Sequence, residues 1–110
     1  MLTCQICLAL TGVRRNKMAN FYQIYFMPKD GVTKDAIEKE FNLAIDWYHF
    51  KNNWIVYTTS DAKKWYSRLE PLVKDGGSVF VARLDMSDYF GYMNKGLWEW
   101  INKCKEKSMH

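Results

Sequence analysis

Apolar residues cluster along the chain in short runs that are rich in aromatic and β-branched side chains and end at turn residues. This pattern is typical of β-strands. It is clearest at the run that begins with Trp54 and least regular at the run that ends with Phe50. The predicted strands are Phe21–Met27, Ile45–Phe50, Trp54–Thr59 and Ser78–Leu84.

Between and after these strands, apolar residues recur at helical spacing. Thr33 is placed to cap a first helix of about three turns, and Ser60 or Asp61 to cap a second. Pro71 is expected to distort or end the last turn of that second helix. A terminal helix over Leu97–Lys105 follows a polar stretch.

The resulting order, β-α-β-β-α-β plus a terminal helix, predicts an α+β fold of the ferredoxin-like type. In that arrangement two helices cover one face of a four-stranded antiparallel sheet. The core is expected to include one helix face and the strand residues that meet it, namely Ile24, Ile37, Phe41, Val56, Trp65, Leu69, Val79 and Val81.

The first and third strands are largely apolar on both faces, although a strand solvated on one side should alternate with polar residues. The face away from the two helices is therefore expected to be covered by a second subunit, by the terminal helix or by stacked bases. Lys51–Tyr57 lacks the glycine and full aromatic pattern of an RNA-recognition motif, which disfavours bases. The predicted interface residues are Tyr22, Tyr25, Trp54 and Tyr57.

Length and charge limit the number of domains and the strength of nucleic-acid binding. The 110 residues fit one domain, and the net charge of +4 depends on the acid-free first 17 residues, which hold Arg14, Arg15 and Lys17. The remainder is close to neutral, so nucleic-acid binding is expected to be weak. The candidate anion-binding residues are Lys63, Lys64 and Arg83.

The amino-terminal segment differs from the rest, and we predict a loosely attached extension over residues 1–17 and a single domain over residues 18–110. The extension is too short and wrongly charged for a membrane span or a secretory signal. Cys4 and Cys7 have the spacing of half a zinc site, but no second cysteine pair exists. No cofactor is expected, and the odd cysteine count favours a reducing, cytoplasmic location without membrane attachment.

Catalytic chemistry has few candidates. His49 is the candidate base, although a histidine at a strand end more commonly serves a structural hydrogen bond. Asp85 and Asp88 follow the fourth strand and could hold a divalent cation, Mg²⁺ or Mn²⁺, or could simply shape a turn. Asp30, beyond the first strand, is the third carboxylate considered as a metal ligand.

Several segments together resemble the small bacterial and phage proteins called SinR-like, which are similar to the ferredoxin-fold CRISPR-associated endonuclease family that partners the spacer integrase. The segments are Trp54–Thr59, Asp61–Pro71, Val79–Leu84 and the aromatic-rich Tyr89–Trp100. The resemblance implies a homodimer packed sheet against sheet, with a metal at the dimer axis in members that cut RNA or DNA. Phe26 stands where that family's strand-end aspartate would be expected, which argues against nuclease activity here.

Two functions are therefore expected, in order. The first is a small non-catalytic interaction module of phage or mobile-element origin, a homodimer that binds another protein. The alternative is a nucleic-acid-binding or metal-dependent nuclease dimer that uses Mg²⁺ or Mn²⁺.

Overall fold

A computed structural model describes residues 18–108, so the predicted extension over residues 1–17, with Cys4 and Cys7, lies outside the described residues. Within that range the chain forms an α+β fold with a four-stranded antiparallel sheet and three helices. The elements are β1 (Asn20–Met27), α1 (Lys34–Phe41), β2 (Asp46–Phe50), β3 (Asn53–Thr58), α2 (Ala62–Val73), β4 (Ser78–Leu84) and α3 (Lys95–Ser108).

The sheet has the order β2-β3-β1-β4, with β1 and β3 at its centre. Along β1, Phe21 lies opposite Leu84 of β4 and Met27 lies opposite Ser78. The start of β1 is thus beside the end of β4, which fixes the end of the sheet at which each loop emerges. This order is compatible with the predicted arrangement of strands and helices.

The face that carries α1 and α2 holds the larger core. The ring of Phe41 stacks on Trp54 with 3.8 Å between ring centres and 5° between ring planes, and the Trp65 ring centre lies 5.8 Å from that of Phe41. The buried Trp65 indole donates a hydrogen bond of 3.2 Å to the Thr58 hydroxyl, which satisfies its polar atom. Every predicted core residue lies in this cluster or packs against it, so the core prediction is confirmed.

The other face is covered over part of its area by α3. Leu97, Ile101 and Cys104 are buried against Phe21 and other residues of the sheet. Lys107 in the last turn forms an ion pair of 3.4 Å with Asp46 on β2. The apolar second face of the strands is thus explained, over this area, by the terminal helix.

The predicted caps of the first two helices were confirmed. The Thr33 hydroxyl accepts from the Ala36 amide at 3.1 Å, and the Asp61 carboxylate accepts from the Lys64 amide at 2.9 Å. One expectation was wrong: the first helix, Lys34–Phe41, has eight residues and falls short of three turns. The second helix ends at Val73, so Pro71 lies in its last turn. Among residues 18–108 there is no helix whose length and apolar content would allow it to span a membrane.

Candidate interaction surface

The part of the second sheet face beyond α3 carries exposed apolar side chains. Tyr25 of β1 lies opposite Phe80 of β4, and their exposed fractions are 36% and 69%. Met27, two residues further along the same face of β1, is also exposed. We call Tyr25, Met27 and Phe80 the open patch.

The loop that joins β4 to α3, residues 85–94, adds further exposed aromatic side chains. Phe90 and Tyr92 are fully exposed. Tyr89 is held in place, since Lys105 lies 4.7 Å from its ring and donates to its hydroxyl at 3.2 Å, while Trp98 stacks on it at 6.2 Å. The loop is therefore anchored to α3 at one aromatic residue and presents two others to solvent.

Between the sheet, this loop and α3 lies a cavity of about 400 Å³ that we call the loop groove. The sheet contributes Gln23, Phe50 and Ile55, and α3 contributes Leu97 and Trp98. Most of the rest of its lining comes from the loop, including its exposed aromatic residues. Among its described lining residues, the charged side chains are Asp85 and Asp88, so an apolar groove carries negative charge.

The first of these carboxylates shapes the start of the loop. Asp85 accepts hydrogen bonds from the Ser87 amide at 2.9 Å and from the Ser87 hydroxyl at 2.6 Å. These bonds favour the charged form and hold the pKa of Asp85 below its ordinary value. The Asp88 amide in turn donates to the Asp85 carbonyl at 3.2 Å, so both residues belong to one hydrogen-bonded turn.

The candidate base lies elsewhere. His49 is on β2, stacked at 4.0 Å on Trp54, with its Nε2 atom 2.5 Å from the Lys51 carbonyl oxygen. It faces the α1 side of the sheet, in a cleft that also includes Lys34 and Glu38. This is the structural hydrogen bond that the strand-end position suggested.

The candidate metal ligands are divided between the two ends of the sheet. Asp85 follows β4, beside the start of β1, whereas Asp30 lies past the far end of β1. At about 3.3 Å per residue, the length of β1 separates the two ends by roughly 20 Å. Among residues 18–108, no group of at least three His, Cys, Asp or Glu side chains is arranged to hold a metal ion.

The predicted basic residues fall at a common end of the sheet. Lys63 and Lys64 begin α2 just after β3, and Arg83 lies near the end of β4, where its guanidinium contacts the Asn20 side chain at 3.4 Å. The Asp61 carboxylate accepts the hydrogen bond that the Lys64 amide donates at the start of α2. The anion site that these residues suggested therefore already holds a negative charge.

Of the four predicted interface residues, three are covered within the chain. Tyr22 and Trp54 are buried in the core under α1 and α2, and Tyr57 is buried under α3. Tyr25 is partly exposed, in the open patch. Any second subunit on this face would therefore meet Tyr25 and its neighbour Phe80 rather than the other three.

Comparison of the sequence and fold with protein-family models, curated proteins and solved structures gives no match. The resemblance to SinR-like proteins therefore stays a prediction. Sequence reasoning also missed Phe90 and Tyr92 as surface residues. The signal available was a run of aromatic residues with neither strand nor helix periodicity, interrupted by Gly91, which regular elements could not bury.

Proposed function

We propose that the chain is a small non-catalytic interaction module that forms a homodimer and binds another protein through the loop groove. The observation that carries this proposal is the groove itself, with fully exposed Phe90 and Tyr92 at an apolar cavity of about 400 Å³. Contiguous exposed apolar surface marks interaction sites in soluble proteins, and aromatic side chains dominate the energetics of such sites.

The charge of the groove specifies the partner's chemistry. Asp85 and Asp88 would repel a phosphate backbone and attract Lys or Arg beside an apolar segment. The residues after the first 17 are near neutral, which also disfavours a polyanion. The occupant we propose is accordingly a protein segment with apolar residues flanked by basic ones.

We infer that the α+β fold of the chain is ferredoxin-like, a fold that leaves one face of its sheet available for contacts. The order β2-β3-β1-β4, with α1 and α2 packed against one face, is the basis of that inference. The metal-dependent nuclease is the weaker alternative because Phe26 is buried at the position considered for an aspartate, and because Asp30 and Asp85 lie at opposite ends of the sheet.

Selecting peptides from a random library for binding to the full chain tests the groove directly. We expect the enriched peptides to share apolar residues next to Lys or Arg, and to lose affinity at least tenfold in a Phe90→Ser, Tyr92→Ser double variant. Tyr66→Ser is the matched control, since Tyr66 is an exposed aromatic residue on α2, away from the groove. Equal loss in both variants, or no shared sequence among the peptides, would contradict the proposal.

Gel mobility and cleavage assays on single- and double-stranded RNA and DNA test the alternative. We expect no cleavage with Mg²⁺ or Mn²⁺, and weak binding that disappears near physiological salt, because few phosphates can be neutralised. Binding that survives about 200 mM salt would support the nucleic-acid function instead. Metal-dependent cutting that Asp30→Ala abolishes would do the same.

A further inference from the structure

Strand β4 forms one edge of the sheet and lacks the features that normally prevent an edge strand from pairing with another chain. The strand order ends at β4, and within residues 18–108 no other strand pairs with its outer side. Edge strands are normally shortened, charged or interrupted by proline to prevent pairing with another chain. Over its seven residues β4 has one charged side chain, Arg83, and no proline. The opposite edge, β2, has five residues, including Asp46 and His49.

The backbone groups that face outward from β4 can be identified. The Phe26 amide donates to the Asn52 carbonyl, on the β3 side, so the alternation along β1 directs Tyr25 and Gln23 toward β4. Their register partners, Phe80 and Ala82, therefore direct their amides and carbonyls at β1. The remaining residues, whose amides and carbonyls face the free edge, are Val79, Val81 and Arg83.

We propose that two copies of this chain pair antiparallel along β4 about a two-fold axis at Val81, which joins their sheets into one. In this register Val81 exchanges both backbone hydrogen bonds with Val81 of the second copy, and Val79 does so with Arg83 of the second copy. The inference rests on the homodimer of the proposed function and names its contact strand. It leaves the loop groove free for another protein.

The side chains of β4 are self-complementary in this register. Phe80, which is 69% exposed in the single chain, lies opposite Ala82 of the second copy, so a large side chain meets a small one on each side of the axis. Continued by one residue past the strand, the register sets Asp85 opposite Gly77, so no two like charges face each other across the contact.

A proline at Val81 tests the pairing in the full chain. It removes an outward amide and leaves the hydrogen bonds to β1 intact, and Val81→Ala is the control that loses a similar side chain but keeps the amide. By sedimentation at micromolar concentration we expect about twice the 13.1 kDa chain mass for the wild type and for Val81→Ala, and the single-chain mass for a folded Val81→Pro. A dimeric Val81→Pro, or a monomeric wild type, would overturn the inference.

Crosslinking provides a second test that needs no disruptive substitution. In a Cys4→Ser, Cys7→Ser background, Val81→Cys places two thiols across the axis at about 5.5 Å between Cα atoms, within disulfide range. Arg83→Cys is the control, because its counterpart lies several residues away in this register. Oxidation should link the first variant and not the second; equal linking of both, or linking of neither, would overturn the register.

Failure of this inference is distinguishable from failure of the proposed function. The mass and the crosslink are measured without any partner, whereas peptide binding is measured at the groove. Under our account, the Phe90→Ser, Tyr92→Ser variant stays dimeric, and the Val81→Pro monomer still binds the selected peptides. If instead the groove variant became monomeric while Val81→Pro stayed dimeric, the self-contact would lie at the groove and not along β4.

Discussion

Tyr25 and Phe80 face each other across β1 and β4 on the part of the sheet that α3 leaves open. Cross-strand aromatic pairs stabilise a sheet when they are buried, yet this pair is accessible to solvent. In the proposed pairing along β4, Phe80 lies next to the axis and beside Ala82 of the second copy.

The first prediction concerns the aromatic ring of Phe80. Phe80→Ala should weaken the dimer by about tenfold, the effect of losing roughly 1.4 kcal/mol of contact energy. Dilution series in the analytical ultracentrifuge would measure it. Tyr66→Ala, which removes an exposed ring from α2, should leave the dissociation constant unchanged. Unaltered self-association in Phe80→Ala would show that the ring lies outside the contact.

The second prediction concerns the ion pair between α3 and β2. Burial opposes ionisation of Asp46, but the nearby Trp100 side chain, the hydrogen bond from the Trp47 amide and the contact with Lys107 outweigh it, so its pKa lies below the ordinary 3.8. A lowered pKa stabilises the fold above pH 3.8, and this contribution is lost as the pH falls through the folded-state value. Asp46→Asn should therefore cost about 1 kcal/mol at neutral pH and less in acid.

Denaturant unfolding at several pH values would measure this difference. Glu38→Gln serves as the control because Glu38 forms an exposed pair of 3.9 Å with Lys34, of the kind that contributes little. Equal stability of Asp46→Asn and the wild type at neutral pH would show that the contact with Lys107 does not fasten α3.

The third prediction concerns the turn before β4. A Cβ atom on Gly77 would overlap the Met27 carbonyl oxygen and lie 2.9 Å from the Lys29 amide nitrogen, both rigid backbone atoms. Gly77→Ala should therefore destabilise the fold by about 2–3 kcal/mol. At Gly76 the added atom would be 3.1 Å from the Lys29 Cβ, so Gly76→Ala should cost less. Thermal unfolding of the two variants gives the comparison, and the reverse order would refute it.

The fourth prediction concerns Cys104, which is buried on the side of α3 that packs against the sheet. Burial, reinforced by Asp46, raises its pKa from 9.0 to about 11, so the native thiol should resist alkylation at neutral pH until the chain unfolds. Because the raised pKa favours the neutral thiol in the fold, stability should fall as the pH rises from 9.0 toward about 11. Mass spectrometry of the Cys104 peptide after alkylation, with and without denaturant, tests this; rapid native labelling would contradict it.

The strands, the helix caps and the core under α1 and α2 could be predicted because periodicity and capping are local. What could not be predicted was which apolar strand face meets which helix, since both faces of β1 and β3 are apolar. Tyr22 and Trp54 were assigned to an interface for that reason, and they lie in the core. Exposure of Phe90 likewise depends on where α3 packs, which local sequence does not specify.

The turn between β2 and β3 shows a similar limit. Asn52 belongs to a residue type that tolerates the left-handed conformation, yet the positive φ of 53° belongs to Lys51. The register between the two strands decides which residue occupies that position, and it overrides the intrinsic preference of the side chain.

Chemical-shift mapping with a selected peptide on the full chain tests the central claim, binding of a protein segment in the loop groove, most directly. Our account predicts that amide shifts concentrate in residues 85–94, with Gln23 and Leu97 at the groove walls. It also predicts that Asp88→Asn weakens binding of the basic peptides, because it removes an opposing charge. Shifts confined to the start of α2, around Lys63 and Lys64, or no shifts at saturating peptide, would contradict the account.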